Sequence, residues 1–441
     1  MECKQLARRV WNRCKSRLTA FWRGLRRDFN YSTDSFFGLD LLLAISGAKL
    51  NTQNKYYRRL WNVLRVASCL SVLFVVLWNT HRNIKNGENF EIVLSCLQAI
   101  VSLFQSNLRL FLIIRHSDAI IAVRQYVNRR QFGRNLQKSL AIRSGSFYHI
   151  RKIVIFAISF ELVLCLSFQF IDFAHHHMLR LPFDISQSFP RMQCLCDNMF
   201  CLLMSAHSLL RPAVHIAVYM IVNGLEAELK VIIQTFSQIF HNTDQHVQRR
   251  MESEACSILQ MEYKLKFYFW KYIQEEFGEC IALHVEFLAI KNKIRPMLNS
   301  HFLIIYYTTA LNLALGSYYL AQMKTITLFS IQTLAYCLYI AFECLILTRM
   351  VSLLNEAHES IGREVYYLDW PTRLEYEDHF AAEYKSVRKN FVTVIAMSQQ
   401  PLRFNGYGSI EFTQDRFWVL LNLAYNMYNV LNDYNDCCVK N

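Results

Sequence analysis

Apolar residues in this chain come in runs of about 20, the length that carries a helix across a hydrocarbon core of roughly 30 Å. Seven such spans can be drawn, at about 60–80, 90–114, 152–173, 197–223, 298–321, 325–349 and 413–433. The apolar stretch GLDLLLAISGA at 38–48 is too short to cross and reads as interfacial or buried. Between the spans, two stretches keep a helical period while mixing charge with apolar positions. Residues 224–297 contain EAELKVIIQTFSQIF and MEYKLKFYFWKYIQEEF and read as extensions of the fourth and fifth spans. Residues 377–398 place Phe380, Tyr384, Val387, Phe391 and Val394 four, three, four and three apart. That spacing suits a coiled-coil-like seam, which would anchor one subunit on another, or the inner face of an amphipathic core helix.

The last span is patterned differently. Along EFTQDRFWVLLNLAYNMYNVLND, Asn422, Asn426, Asn429 and Asp433 recur at spacings of four, three and four, and so share one narrow helical face. In hydrocarbon such a stripe must face protein or water. It is a candidate pore face, with hydrogen bonding between helices as the alternative. Glu161, Arg211 and Glu343 stand in the third, fourth and sixth spans. A central arginine costs about 2.5–3.5 kcal/mol on translocon scales unless it is paired or wet. Glu161 and Arg211, both mid-span in helices joined by a short connection, are expected to pair with each other. The outer halves of several spans are rich in aromatics and Met, among them Phe168, Phe200, Met204, Tyr336 and Tyr339. These either pack helices or enclose an apolar cavity that holds a small volatile or lipophilic molecule by dispersion.

Composition supports the same picture. Of 441 residues 53% are hydrophobic, while only 12 are Gly and 6 are Pro, which favours helices over a β-rich or disordered chain. The expected fold is an all-α membrane protein with seven transmembrane helices. The net charge of +14 does not point to nucleic acid, because its placement follows the loops. Residues 1–59 carry thirteen Lys and Arg, 81–89 two, 115–152 nine and 174–196 two. By the positive-inside bias this alternation puts the N-terminus in the cytoplasm and, after seven spans, the C-terminus outside. That is the reverse of a G-protein-coupled receptor. The chain then divides into a basic cytoplasmic segment (1–59), spans one to four (60–223), cytoplasmic helical extensions (224–297), spans five and six (298–349), further cytoplasmic anchor helices (350–412), the pore-lining span (413–433) and an extracellular tail (434–441).

Smaller features fit around this frame. Residues 1–35 have no uninterrupted apolar core, so no cleavable signal peptide is expected. Leu18, Phe21, Trp22, Leu25 and Phe29 fall at helical spacing among Arg17, Arg23, Arg26 and Arg27. They suit an amphipathic helix on an anionic inner leaflet or an ordinary packed helix. The sequon Asn30-Tyr31-Ser32 is cytoplasmic in this topology and should be unused. His175, His176 and His177 read as a solvated loop. No Cys pair has zinc spacing, and Cys194, Cys196, Cys437 and Cys438 lie where disulfides could form. No nucleophile motif, Walker loop, HExxH or dinucleotide fingerprint occurs, so neither enzyme activity nor a cofactor or metal is expected.

The C-terminal third resembles the insect odorant receptor family. The resemblance is carried by Tyr366 to Trp370 (YYLDW), by Gln400-Pro401-Leu402 with Gly406 and Gly408, and by SIEFTQDRFWVLLNLAYNMYNVL, over about 75 residues. It implies a tetrameric, ligand-gated, non-selective cation channel in the plasma membrane of olfactory sensory neurons. The family's shared coreceptor has a longer cytoplasmic insertion than 224–296 offers, so this chain resembles a tuning, odorant-binding subunit that assembles with it. Partners implied are the coreceptor, a small volatile or lipophilic ligand, membrane lipid and permeant cations, with no nucleic acid. The resemblance places Val430 at an apolar ring that narrows the pore, with Asn422 and Asn426 on the same face, and Asp433 near the outer selectivity position. It places the ligand among the second to sixth helices, on Tyr336, Tyr339, Phe168, Phe200 and Met204. A seven-helix chemoreceptor signalling through G proteins is the alternative. The cytoplasmic N-terminus and the lack of a DRY-like or NPxxY-like motif oppose it.

Overall fold

Long helices carry nearly all of the chain that can be described. In a computed structural model, the described residues are 55–129, 137–168, 190–208, 210–253, 258–323 and 325–439, with parts of 15–43, 130–136 and 169–189. The helices are α1 (Lys55–Lys85), α2 (Phe90–Arg115), α3 (Ser117–Arg129), α4 (Gln137–Phe168), α5 (Pro190–Ser208), α6 (Leu210–Phe236), α7 (Ile239–Glu252), α8 (Ile258–Gln322), α9 (Leu328–Tyr366), α10 (Ala381–Ser398) and α11 (Gln414–Val439), with one helical turn at Trp370–Arg373. Among the described residues, three helices are long and apolar enough to cross a membrane: Arg59–Lys85, Phe90–Arg115 and Leu328–Arg373. They overlap the first, second and sixth expected spans, and most of the described residues in the other four also lie on helices. Most of the N-terminal amphipathic pattern, most of 38–48, His175 to His177, and the side chains of Cys437 and Cys438 lie outside the described residues. Cys194 and Cys196 are free thiols.

Polarity decides which helix goes where. On α1 Val72, Val75 and Val76 are buried, while Leu70, Phe74, Leu77 and Trp78 are exposed. An outward apolar face of that extent suits hydrocarbon rather than water. α6 is buried on all sides from Pro212 to Leu229 and mostly apolar there, with His215, Asn223, Glu226 and Glu228 as its buried polar side chains. It packs on α4, α8 and α9. Arg143 of α4 clasps Glu228 of α6 through Nε–Oε1 at 2.9 Å and Nη2–Oε2 at 2.5 Å, and Asn223 donates to the Ser146 hydroxyl at 2.5 Å.

α8 runs 65 residues, about 98 Å at 1.5 Å per residue, and serves both ends of the molecule. Pro296 lies inside it and supplies no backbone N–H. Beside the proline, the Tyr407 hydroxyl donates to the Pro296 carbonyl at 3.2 Å and meets the Ser300 hydroxyl at 2.8 Å. Tyr407 sits at φ 61° between Gly406 (φ 48°) and Gly408 (φ 88°), a left-handed turn for which the two glycines are suited.

α7, α10 and the neighbouring parts of α8 and α9 form a dense aromatic core. Phe391 stacks on Phe277 at 4.2 Å between ring centroids and 5° between planes, with Trp370 at 5.4 Å and Phe240 at 6.2 Å. Phe380 stacks on Tyr263, and Tyr384 meets Trp270 edge-on. The expected subunit seam is therefore corrected. Phe380, Val387, Phe391 and Val394 are buried in the chain's own core, and Tyr384 packs against it. Their spacing marks the inner face of an amphipathic helix. The outward face of α10 instead presents Arg388, Lys389, Val392 and Met397.

Candidate ligand cavity and free-faced helix

A cavity of about 160 Å³ lies among α2, α4, α5, α6 and α9. α2 contributes small polar side chains at helical spacing, Ser95, Gln98, Ser102 and Ser106. From α9 come Phe329, Gln332, Thr333 and Tyr336; α4 adds Glu161 and Leu164, and Met204, His207, Ser208 and Arg211 close the wall. Most of the wall's surface is apolar, with Ala99 and Leu103 of α2 beside Leu164, Met204 and Phe329, and the hydroxyl, amide and charged groups are set into it. Cavities of this kind have polar groups that an occupant or water must satisfy.

Two charges open onto this space. Arg211 lies over the Tyr336 ring with Cζ 4.3 Å from the centroid, a cation–π contact. Among the described residues it joins no ion pair, and its buried Nε has no hydrogen-bond partner. Glu161 is 1% exposed and sits beside Ser208, with Oε2 unpartnered. The Glu161–Arg211 ion pair expected from mid-span position is not formed. The two share the cavity instead, each held by its own helix. Gln332 donates to the Ser167 hydroxyl at 2.5 Å and leaves Oε1 without a partner.

Next to the cavity the paired charges are elsewhere. Glu343 of α9 pairs with Arg109 of α2, and His215 Nδ1 of α6 lies 3.0 Å from the same carboxylate oxygen. Arg109, Glu343, His215 and His301 are each no more than 4% exposed. Removing one partner of such a buried pair leaves an uncompensated charge, worth roughly 3–5 kcal/mol.

A hydrogen-bond chain leads from the cavity into α8. The Tyr336 and Ser102 hydroxyls meet at 2.6 Å, Ser102 reaches Asn312 Oδ1 at 3.2 Å, and Gln98 donates to the Asn312 carbonyl at 3.2 Å. On the same helix, Leu315 and Tyr318 form a cluster with Tyr428 and Leu431 of α11. Gln322 closes the contact on Asn432 at 3.5 Å. α11 buries Phe417, Leu420 and Ala424 against the bundle. Its opposite side exposes Asn422, Asn426, Val430 and Asp433, with Asn429 half-buried. The stripe read from spacing is the free face of the last helix.

No protein-family model and no curated protein sequence matches the chain. Solved structures do. The insect olfactory receptor OR5 from Machilis hrabei in complex with eugenol superposes with a TM-score of 0.65 at 13% identity, covering 90% of this chain and 97% of that one. A second structure of the same receptor gives 0.65 at 12% identity over 89% and 96%. The chain has the insect olfactory receptor fold.

Within the olfactory receptor fold, the residues expected to touch ligand divide. Tyr336 and Met204 line the cavity. Tyr339 lies behind its wall, stacked on Phe160 at 5.5 Å and 8°. Phe200 does not line the cavity; it is buried with Val72, Val75, Val76 and Cys96 in a cluster against which the lining residues Met204 and Phe329 pack. The Phe168 side chain lies outside the described residues. Sequence reasoning passed over Arg109 and the α2 stripe, although Ser95, Gln98, Ser102 and Ser106 at spacings of three, four and four are the same kind of signal as the α11 stripe. Among the described residues, no group of three or more His, Cys, Asp or Glu is placed to hold a metal.

Proposed function

We propose that this chain is an odorant-binding subunit of a tetrameric, ligand-gated, non-selective cation channel that works with a coreceptor subunit in the plasma membrane of olfactory sensory neurons. In this reading seven helices span the membrane with the N-terminus inside. The cavity takes a small volatile molecule and α11 lines the pore. The observation that carries the reading is the physical link between the two: a cavity wall residue, Tyr336, is bonded through Ser102 to Asn312 of α8, and α8 packs on the one side of α11 that is not free. The olfactory receptor fold, and a receptor of that fold solved with eugenol, support the choice of ligand class.

The mechanism is a population shift. A ligand that binds the open arrangement better moves the equilibrium by its differential affinity and no more. Displacement of α8 and α9 draws α11 outward, Val430 leaves the axis and the constriction wets. Asp433, beyond Val430, concentrates cations at the mouth. The test is expression with the coreceptor, recording currents against an odorant panel. Asp433→Asn is expected to lower divalent permeation or block with gating intact, and Val430→Ala to raise resting current. Odorant-evoked currents whose ion selectivity and blocker sensitivity ignore both changes would remove α11 of this chain from the pore.

A further inference from the structure

We infer that the cavity selects a neutral compound of about one ring that carries both a hydroxyl donor and a second oxygen acceptor, in preference to an apolar odorant of equal size. This rests on the cavity being the ligand site. Size comes first. At about 160 Å³ the space is close to that of an engineered protein cavity of about 150 Å³ that takes benzene. That cavity was apolar throughout and stayed dry; this one sets buried polar groups into a mostly apolar wall. Arg211 brings a guanidinium whose Nε is buried without a partner while its face lies on Tyr336. A guanidinium has donors only and keeps its charge. Glu161 Oε2 and Gln332 Oε1 are acceptors buried without partners. An occupant that fits must therefore offer one acceptor and one donor. A hydrocarbon leaves these groups, and the ring nitrogens of His207 beside them, desolvated and unmatched, the arrangement that costs most.

Net charge is excluded by symmetry. A carboxylate gains Arg211 and meets Glu161; an ammonium gains Glu161 and meets Arg211. Either must also leave water, which costs several kcal/mol per ion even after relaxation. A neutral donor–acceptor molecule meets both groups with the right sign of dipole and avoids that cost.

The experiment uses the purified full-length chain in lipid nanodiscs and four near-isosteric probes, 3-hydroxybenzaldehyde, 3-methylbenzaldehyde, 3-ethylphenol and 3-ethyltoluene, with direct binding as the readout. The dual compound is expected to bind at least tenfold tighter than 3-ethyltoluene, with the single-oxygen compounds between, because a hydrogen bond to a charged group is worth at least that factor. Benzoate and benzylammonium should both bind weakly. Glu161→Gln is expected to strengthen benzoate at least tenfold, and Arg211→Gln to do the same for benzylammonium. A purely structural role for either residue would not produce this reciprocal change. If 3-ethyltoluene binds as well as 3-hydroxybenzaldehyde, or if neither substitution alters the order of the two ions, the inference is overturned. Should both variants fail to accumulate, the wild-type probe series decides alone. Binding in the expected order without evoked current would sink the channel reading and leave this one standing. Currents that track apolarity would do the opposite.

Discussion

The two ends of this bundle are built by opposite rules. The aromatic end fills its interior with flat rings in contact, Phe391 on Phe277 at 4.2 Å being its centre. The cavity end keeps a void of about 160 Å³ and leaves a cation and a carboxylate unpaired around it. Close packing gives the first end its stability, since interiors lose free energy for each missing contact. The second end gives up such contacts and retains buried polar groups that an occupant or water must satisfy. Stability and recognition are thus separated along one chain, joined by α8.

The sharpest way to break this contrast is at the aromatic centre. Phe391→Ala is expected to destabilise the chain by about 3–5 kcal/mol, read as a large drop in thermal stability, while the order of ligand affinities in the surviving folded protein stays the same. A change in ligand order would mean that the two ends are not separable.

Acid attacks the same end more gently. His284 and His358 lie with their Nε2 atoms 3.2 Å apart, and burial pushes each from 6.5 down to about 4. Lys291 adds to the unfavourable field at His358. The folded state therefore holds protons less tightly than the unfolded chain. The contribution to stability is intact above about pH 6.5 and is lost as pH falls through the window toward 4, by at most about 1.4 kcal/mol per pH unit for each histidine. Melting curves from pH 7 to 5 should show the decline, and His284→Phe should flatten it. A decline of equal slope in that variant would assign the acid sensitivity elsewhere.

The smallest stability effect is expected where the functional effect is large. Arg211→Gln removes a side chain that makes no ion pair among the described residues, so its melting temperature should change by the equivalent of less than about 1 kcal/mol. A loss of several kcal/mol would make Arg211 part of the framework and blur the division between the ends.

How much of this could be read beforehand follows from what periodicity encodes. The helices, the first, second and sixth apolar spans and the exposed stripe of α11 were legible, because a 3.6-residue period marks which face differs from the rest. The period does not say what covers a face. Phe380, Val387, Phe391 and Val394 gave the same spacing whether the partner was a second chain or α8, and only packing separates the two. Pairing of charges was likewise out of reach. Glu343 had candidate partners on several helices, and Arg109 and Arg211 differ only in which helix faces them. The polar part of the cavity wall was partly legible in the α2 stripe, but its facing groups come from four other helices, at sequence distances no local pattern spans.

One unbroken helix shared by both ends makes chain length a question of angle. Each residue inserted into α8 between His284 and Asn312 would turn everything beyond it by about 100°. Asn312 would swing off Ser102 and Leu315 off Leu431, while the rings around Phe277 stayed where they are. A single added codon could therefore leave a well-folded protein whose two ends no longer agree on which way they face.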